Sequence, residues 1–294
     1  PMGFYSASTL LQDAHRHGVE LLPPCIRASD WDCTLEPRGQ GSALRVGLRQ
    51  VKGLGEAAGK RIEEARRTRP FASLEDLALR AALNRKELAA LAESGALDPL
   101  TGGRREALWK VFAPRGEGLF AGLDLGDEPP KLPAMTRAQQ LVLDYERTGL
   151  SVKDHPMLLA RPRLPRGTLG SADLAKARHG AVVTVAGLVI CRQRPQTASG
   201  VVFLTLEDEH GFLNLVLFTD VFDRYRPVAT TSTLLLVRGR VEREREGAIV
   251  YVRAEHLERL GIGEADDTPR SAGRREDGAG AATVDVPSMS RDFH

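Results

Sequence analysis

Two hydrophobic rhythms divide the chain. Over residues 42–112 the apolar positions recur in steps of three and four, as at Val51, Leu54, Ala58, Ile62 and Ala65. From Gly180 onward they alternate with polar ones. The first spacing predicts helices with one buried stripe, the second strands with one buried face. Residues 8–17 read as an amphipathic helix closed by Gly18 and followed by a Pro23-Pro24 stop, and the rest of the segment to about residue 41 reads as irregular. Residues 42–112 read as helical throughout. Ser73 can cap a helix carrying Leu74, Leu77, Ala78 and Ala81. Asn84, with Glu87 three residues on, makes a capping-box start for the next, which Gly95 ends. Glycine and proline accumulate over residues 113–135 and periodicity disappears, as in a loop or linker. A helix over 137–147 follows, with Thr136 as N-cap and Gly149 as its stop.

Five alternating runs come next, at residues 181–192, 201–207, 212–218, 234–242 and 249–256. Asp208 to Gly211 form a tight turn between the second and third, and residues 219–225 a short helical connection between the third and fourth. Five strands with a helix at that place are the order of an OB-fold barrel; an SH3-like barrel or an unrelated five-stranded roll shares the strand count. After Leu260 the composition turns to Gly, Ala, Asp, Arg and Ser, too poor in large apolar residues to fold alone. The expected fold is multidomain α + β. An opening segment (1–41) precedes an all-α domain (42–112) and a connecting region with one helix (113–179). A five-stranded OB-fold barrel (180–260) and a disordered tail (261–294) complete it.

Length and composition fit this division. The chain has 294 residues, 42% hydrophobic and 27% charged, enough for two or three domains. No apolar run reaches 18 residues and there is no secretion signal, so the expected compartment is the cytoplasm, with no membrane partner. Cys25, Cys33 and Cys191 are an odd number without metal-ligand spacing. The chain begins at Pro1, as a fragment of a larger protein would. Net charge is only +2, but residues 41–115 carry fifteen Lys/Arg against nine Asp/Glu, and 261–294 carry four against seven. A basic middle suits a phosphate-binding module, although surface charge on any helical domain gives the same excess.

The chemistry concentrates at Gly53, Leu54 and Gly55, where a Gly-Leu-Gly hairpin joins two predicted helices. Glycines there let a DNA phosphate approach, and the free N–H groups opening the next helix point at the anion. Lys52, Lys60 and Arg61 add charge beside it. The alternative is an ordinary glycine turn. Residues 91–97 resemble a second, degenerate hairpin, or a plain helix with a glycine stop. On the barrel, Phe203, Phe212, Phe218 and Tyr251 are candidates for stacking on bases, and Arg192, Arg194, Arg238, Arg240 and Arg243 for the backbone. The aromatics could instead be core, and the arginines edge charges that suppress aggregation. Asp30-Trp31-Asp32 has the spacing of a metal-binding carboxylate pair, but it lacks a third carboxylate and reads better as a turn with a packed indole. No nucleophile–His–acid set, Walker loop or HExxH motif is present.

Several runs together carry a family resemblance: Gly3-Phe4-Tyr5-Ser6, His17-Gly18-Val19-Glu20, Ala28 to Glu36, and Leu44-Arg45-Val46-Gly47-Leu48 with the hairpin. Thr148 to Pro156 and Ser290-Arg291-Asp292-Phe293-His294 join them. The chain resembles the bacterial error-prone C-family DNA polymerases, damage-induced relatives of the DNA polymerase III alpha subunit, in their carboxy-terminal part only. The resemblance implies that residues 1–41 end the fingers region, that tandem helix-hairpin-helix elements and an OB domain follow, and that the palm with its metal-binding aspartates lies outside this chain. No catalytic residue or metal ligand is therefore assigned here, and no cofactor belongs to this segment; Mg²⁺ is expected for the full-length polymerase. The implied partners are primer–template duplex at the hairpin and single-stranded template at the OB domain. Other lesion-bypass proteins and the sliding clamp are further candidates, although Gly118-Leu119-Phe120 lacks the leading glutamine of a clamp-binding peptide. The implied function is the DNA-binding portion of an enzyme for damage-induced mutagenesis and translesion synthesis. The alternative is a free-standing, non-catalytic DNA-binding or protein-docking module.

Overall fold

A computed structural model describes residues 7–39, 41–113, 132–195, 200–243, 249–263, 283–284 and 291–293. The Gly118-Leu119-Phe120 run lies outside them. The chain divides into two units, Pro1–Thr136 with Leu143–Val152, and Arg137–Val142 with Lys153–His294.

The first unit opens with α1 (Ala7–Arg16) and a small sheet of β1 (Glu20–Leu22), β2 (Thr34–Arg38) and β3 (Gly41–Arg45) in the order β1-β3-β2. This sheet replaces the irregular segment expected after Gly18. Its strands are three to five residues long and β2 contains Pro37, so alternation is too brief to register. Helices α2 (Glu56–Thr68), α3 (Leu74–Arg80), α4 (Arg85–Glu93), α5 (Asp98–Thr101) and α6 (Arg104–Phe112) follow. The expected caps are present: Ser73 accepts from the Asp76 N–H, and Asn84 with Glu87 closes a reciprocal capping box on α4. Leu48, Val51, Ile62, Leu77, Leu91 and Leu97 form one core, which Ile26 and Trp31 from the opening segment also enter. The helical core therefore draws on residues upstream of position 42.

Helix α7 (Arg137–Arg147) has the expected bounds and contributes residues to both units. In the second unit, α8 (Pro156–Ala160), β4 (Thr168–Leu169) and α9 (Ser171–Leu174) lead into five main strands. These are β5 (Val182–Gln193), β6 (Val202–Glu207), β7 (Phe212–Leu217), β8 (Leu234–Arg243) and β9 (Val250–Leu260), with α10 (Thr219–Arg224) and α11 (Arg226–Thr231) between β7 and β8. Neighbours run β5-β6-β7-β9-β8, and β8 also pairs with β5. All of these pairings are antiparallel except β7 with β9. Alternation delivers Val202, Leu204, Leu206, Leu213, Leu215 and Leu217 to one interior.

Three runs of the tail expected to lack structure are strand. Ile262–Gly263 (β10) pairs with Thr283–Val284 (β11), and Arg291–Phe293 (β12) pairs with the end of β5.

Candidate nucleic-acid interface

The hairpin begins on a single 3-10 turn, Leu48–Gln50, rather than a full helix. Leu54 is buried, with 7% of its surface exposed, and pins the loop into the core. It supports the site without facing solvent, a correction to its expected role as a DNA contact. Lys52, Gly53 and Gly55 around it are exposed. Gly53 has φ +95°, which only glycine adopts readily, and a Cβ there would lie 3.3 Å from the Ala90 Cβ. Gly55 is the N-cap of α2, and a Cβ on it would meet nothing within 4 Å. The Lys52 and Leu54 N–H groups are spent on Arg147 and Val51 carbonyls. Those of Gly53, Gly55, Glu56 and Ala57 have no acceptor among the described residues. Four unspent amides, an open approach and the positive end of a thirteen-residue helix make an anion cradle.

The flanking cations divide by role. The Lys52 ammonium makes no ion pair among the described residues and is exposed beside Gly53. Lys60 leans 3.4 Å from the Glu63 carboxylate. Arg61 departs from its expected role as a phosphate contact: its Nε donates to the Ala81 carbonyl at 2.7 Å and its Nη2 to Ala82 at 3.2 Å, capping the end of α3. A guanidinium there satisfies carbonyls that the helix leaves open. Glu56, in the first turn of α2, puts an exposed negative charge at the cradle.

The second hairpin is built differently. Gly95 has φ +79°, but a Cβ there would lie 2.8 Å from the Arg104 Nε, so the guanidinium covers the face a phosphate would need. Arg104 is itself buried and paired with Asp144. The N–H groups of Ser94, Gly95 and Ala96 are spent on Ala90, Ala92 and Leu91 carbonyls.

Asp30-Trp31-Asp32 is structural. Asp30 pairs with Arg66 and Asp32 with Arg49, while the Trp31 indole packs against Gly59, where a Cβ would come within 2.3 Å of the ring. The Trp31 N–H donates to the buried Glu63 carboxylate. Among the described residues no group of three His, Cys, Asp or Glu side chains could hold a metal ion. These residues do not fit the Mg²⁺ of a polymerase.

On the barrel, register lays two outward rows across five strands. One runs Gln193, Phe203, Val216, Arg253, Arg240; the other Cys191, Thr205, Asn214, Tyr251, Glu242. Phe203 is 38% exposed and Phe212, at the end of β7, 43% exposed, so the stacking candidates on β6 and β7 do not belong to the core. Tyr251 is half-buried on the same face. Arg240 is exposed and pairs with Glu255 at 3.0 Å; Arg253 stands opposite it in register, 3.9 Å from Glu242. Arg238 is exposed opposite His256, and Arg194 lies over the Phe222 ring at 5.4 Å. Arg192 corrects the expectation of a loop cation: it is buried, its Nε donates to the Ala229 carbonyl at 2.8 Å and its Nη2 to Ser232, so it braces α11 against the barrel. Arg243 likewise donates to the Ala177 carbonyl at 3.0 Å, beyond α9. Arg253, Asn214 and Thr205 were not singled out from sequence. Strand parity in Phe212-Leu213-Asn214-Leu215 was the available signal.

Two family profiles match the chain: a helix-hairpin-helix motif over residues 18–107 and an OB-fold nucleic acid binding domain over 183–260. An error-prone DNA polymerase from Alkalilimnicola ehrlichii is 47% identical over 88% of this chain, and one from an Anaeromyxobacter species 45% identical over 90%. A third, from Pseudomonas fluorescens, is 47% identical over 100% of it. Over 88% to 100% of its length the chain is similar to a part of these error-prone DNA polymerases. It covers 24% to 27% of the length of these three relatives. Among solved structures, asparaginyl-tRNA synthetase from Pyrococcus horikoshii aligns with 27% of the chain, and 20% of its own, at 28% identity and a TM-score of 0.23. Among the described residues no helix is long and apolar enough to cross a membrane.

Proposed function

We propose that this chain is a DNA-engaging part of an error-prone polymerase that extends primers across lesions during damage-induced mutagenesis. It holds the primer–template duplex at the cradle of residues 53–57 and the unpaired template on the outer face of the barrel. The observation that carries the reading is the cradle itself: open space at Gly55, and amides at the start of α2 and a Lys52 ammonium that have no partner among the described residues. Contacts of this kind hold the sugar–phosphate backbone and carry no base preference. The barrel complements them, because exposed aromatic faces interleaved with arginines suit a flexible single strand. Nucleotidyl transfer, and the Mg²⁺ it needs, belong to other parts of the full-length enzyme.

The test is duplex binding by Gly55→Val and Lys52→Ala. Valine at Gly55 is accommodated in the fold because its space is open, yet it fills the phosphate's approach. Duplex affinity should fall for every sequence alike while thermal stability changes little. Unchanged affinity in both variants would remove the hairpin from the interface. Lesion-bypass proteins are a competing use of the barrel. Neutralising Arg194, Arg238, Arg240 and Arg253 together should weaken single-strand binding, and an unaltered affinity would favour protein docking instead.

A further inference from the structure

The lysines and arginines of the helical unit are nearly all engaged with protein groups. Among the described residues only Arg27, Lys52 and Lys86 make neither an ion pair nor a side-chain hydrogen bond, and all three are exposed. A cation held in an internal bond must break it to meet a ligand, whereas a free one gives up only water and rotamer freedom. Lys52 sits in the hairpin itself. Lys86 is in the first turn of α4, where only its backbone is engaged, its N–H donating to the Asn84 Oδ1 at 2.9 Å.

Contacts along α4 place Lys86 beside the cradle. Residues four apart share a face of a helix. Four residues beyond Lys86 is Ala90, whose Cβ lies 3.3 Å from the position a Cβ would take on Gly53. A turn further on, Glu93 pairs with Arg147 at 2.5 Å, and the Arg147 carbonyl accepts the Lys52 N–H. The face of α4 that carries Lys86, Ala90 and Glu93 therefore runs along the hairpin, with Lys86 at its exposed end. Arg85, one residue earlier, goes to α6 instead: its guanidinium lies over the Phe112 ring at 4.9 Å and donates to the Phe112 carbonyl at 2.6 Å. The adjacent Glu87 carboxylate is spent on the Asn84 N–H and stands 3.8 Å from Arg61. Lys86 is about 6 Å from Ala90 along the helix axis, roughly one turn. Phosphates of one DNA strand recur about every 3.4 Å of duplex axis, a repeat short enough to bring a neighbour of the cradled phosphate to that turn.

We propose that Lys86 is a further phosphate contact of the duplex grip, meeting a neighbouring phosphate of the strand that the cradle holds. The proposal rests on the reading of residues 53–57 as the duplex site, and it broadens that one grip without adding another. Its experiment titrates one duplex, from about 50 to 200 mM salt, with the full chain and with Lys86→Ala, Lys86→Arg, Arg27→Ala, Lys52→Ala and Gly55→Val. Lys86→Ala should lower the salt slope by about 0.9, the share of one phosphate, so that its deficit in affinity shrinks about 3.5-fold across that range. Lys86→Arg keeps the charge and should keep the slope. Arg27 is the control, because it is equally exposed and free of partners but adjoins Ile26, whose carbonyl accepts from Arg66 in the last turn of α2. That turn is about 15 Å from the start of the helix, and Arg27→Ala should leave the slope unchanged. An unchanged slope in Lys86→Ala, with binding weakened in Lys52→Ala and Gly55→Val, overturns the further contact and leaves the cradle standing. No loss in any of these three overturns both. Equal falls in Arg27→Ala and Lys86→Ala also overturn the proposal, because the duplex would then sense the charge of the unit at large and not a contact on α4.

Discussion

Residues of one type do opposite things within a few positions of each other. Lys52 and Arg61 both flank the hairpin, but Lys52 is exposed with no ion pair among the described residues, while Arg61 is spent on the carbonyls of Ala81 and Ala82. Arg61→Ala should therefore act on folding, costing about 1 kcal/mol or more for the lost charge-assisted hydrogen bonds, and only weakly on DNA affinity. Paired thermal melts and duplex titrations separate the two effects. Glu56 gives the reverse prediction. Its carboxylate stabilises the start of α2 by about 0.3–1 kcal/mol through the helix dipole, yet it repels a phosphate at the same spot. Glu56→Gln should tighten duplex binding several-fold at low salt while lowering the melting temperature slightly. Weaker binding would put the phosphate elsewhere. The Gly-Leu-Gly spacing was readable because backbone angle and steric access demand glycine. The roles of Arg61 and Arg192 were not, because nothing local reveals that a guanidinium will meet carbonyls 20 or 37 residues away.

Among elements, α2 is fixed by one close approach. Gly59 lets the helix lie against the Trp31 indole, and Gly59→Ala would drive a Cβ into the ring. Overpacking of this kind costs about 1–3 kcal/mol, to be read as a drop in the denaturant midpoint. At the β6–β7 turn, burial pushes the Asp208 carboxyl up, but the Ser171 hydroxyl and N–H, followed by the His210 and Gly211 N–H groups, outweigh it and hold it below the usual carboxylate range. A carboxyl lowered in the folded state stabilises above its unfolded value, and that contribution is lost as pH falls through the folded one. The barrel should thus lose stability on acidification below about pH 4, the ordinary aspartate value. Asp208→Asn should flatten that dependence in melts taken from pH 7 to pH 3. The long strands and helix caps were legible because alternation runs for six residues or more and the cap residues act locally. The sheet of β1, β2 and β3 and the strand β12 were not, because strands of three to five residues exist only through their partners.

At the scale of the whole molecule the two surfaces proposed to meet DNA differ in chemistry. The cradle is made of backbone amides, one lysine and a helix end, whereas the barrel face mixes Phe203, Phe212 and Tyr251 with arginines that also touch glutamates. Duplex affinity should therefore fall with salt by roughly 0.9 log unit per log unit for each phosphate held. Single-strand affinity should keep a larger salt-resistant share from stacking. Titrations of both ligands between 50 and 200 mM salt, on the order used to resolve such slopes, would measure the difference. Parallel slopes would contradict the division of labour.

If the cradle holds a duplex as proposed, the guanidinium lying across Gly95 leaves the helical unit with one such purchase among the described residues instead of two. A rod pinned at one point is located yet can still swivel. On that proposal, duplexes whose axis is bent or locally unwound would meet the same grip as regular ones.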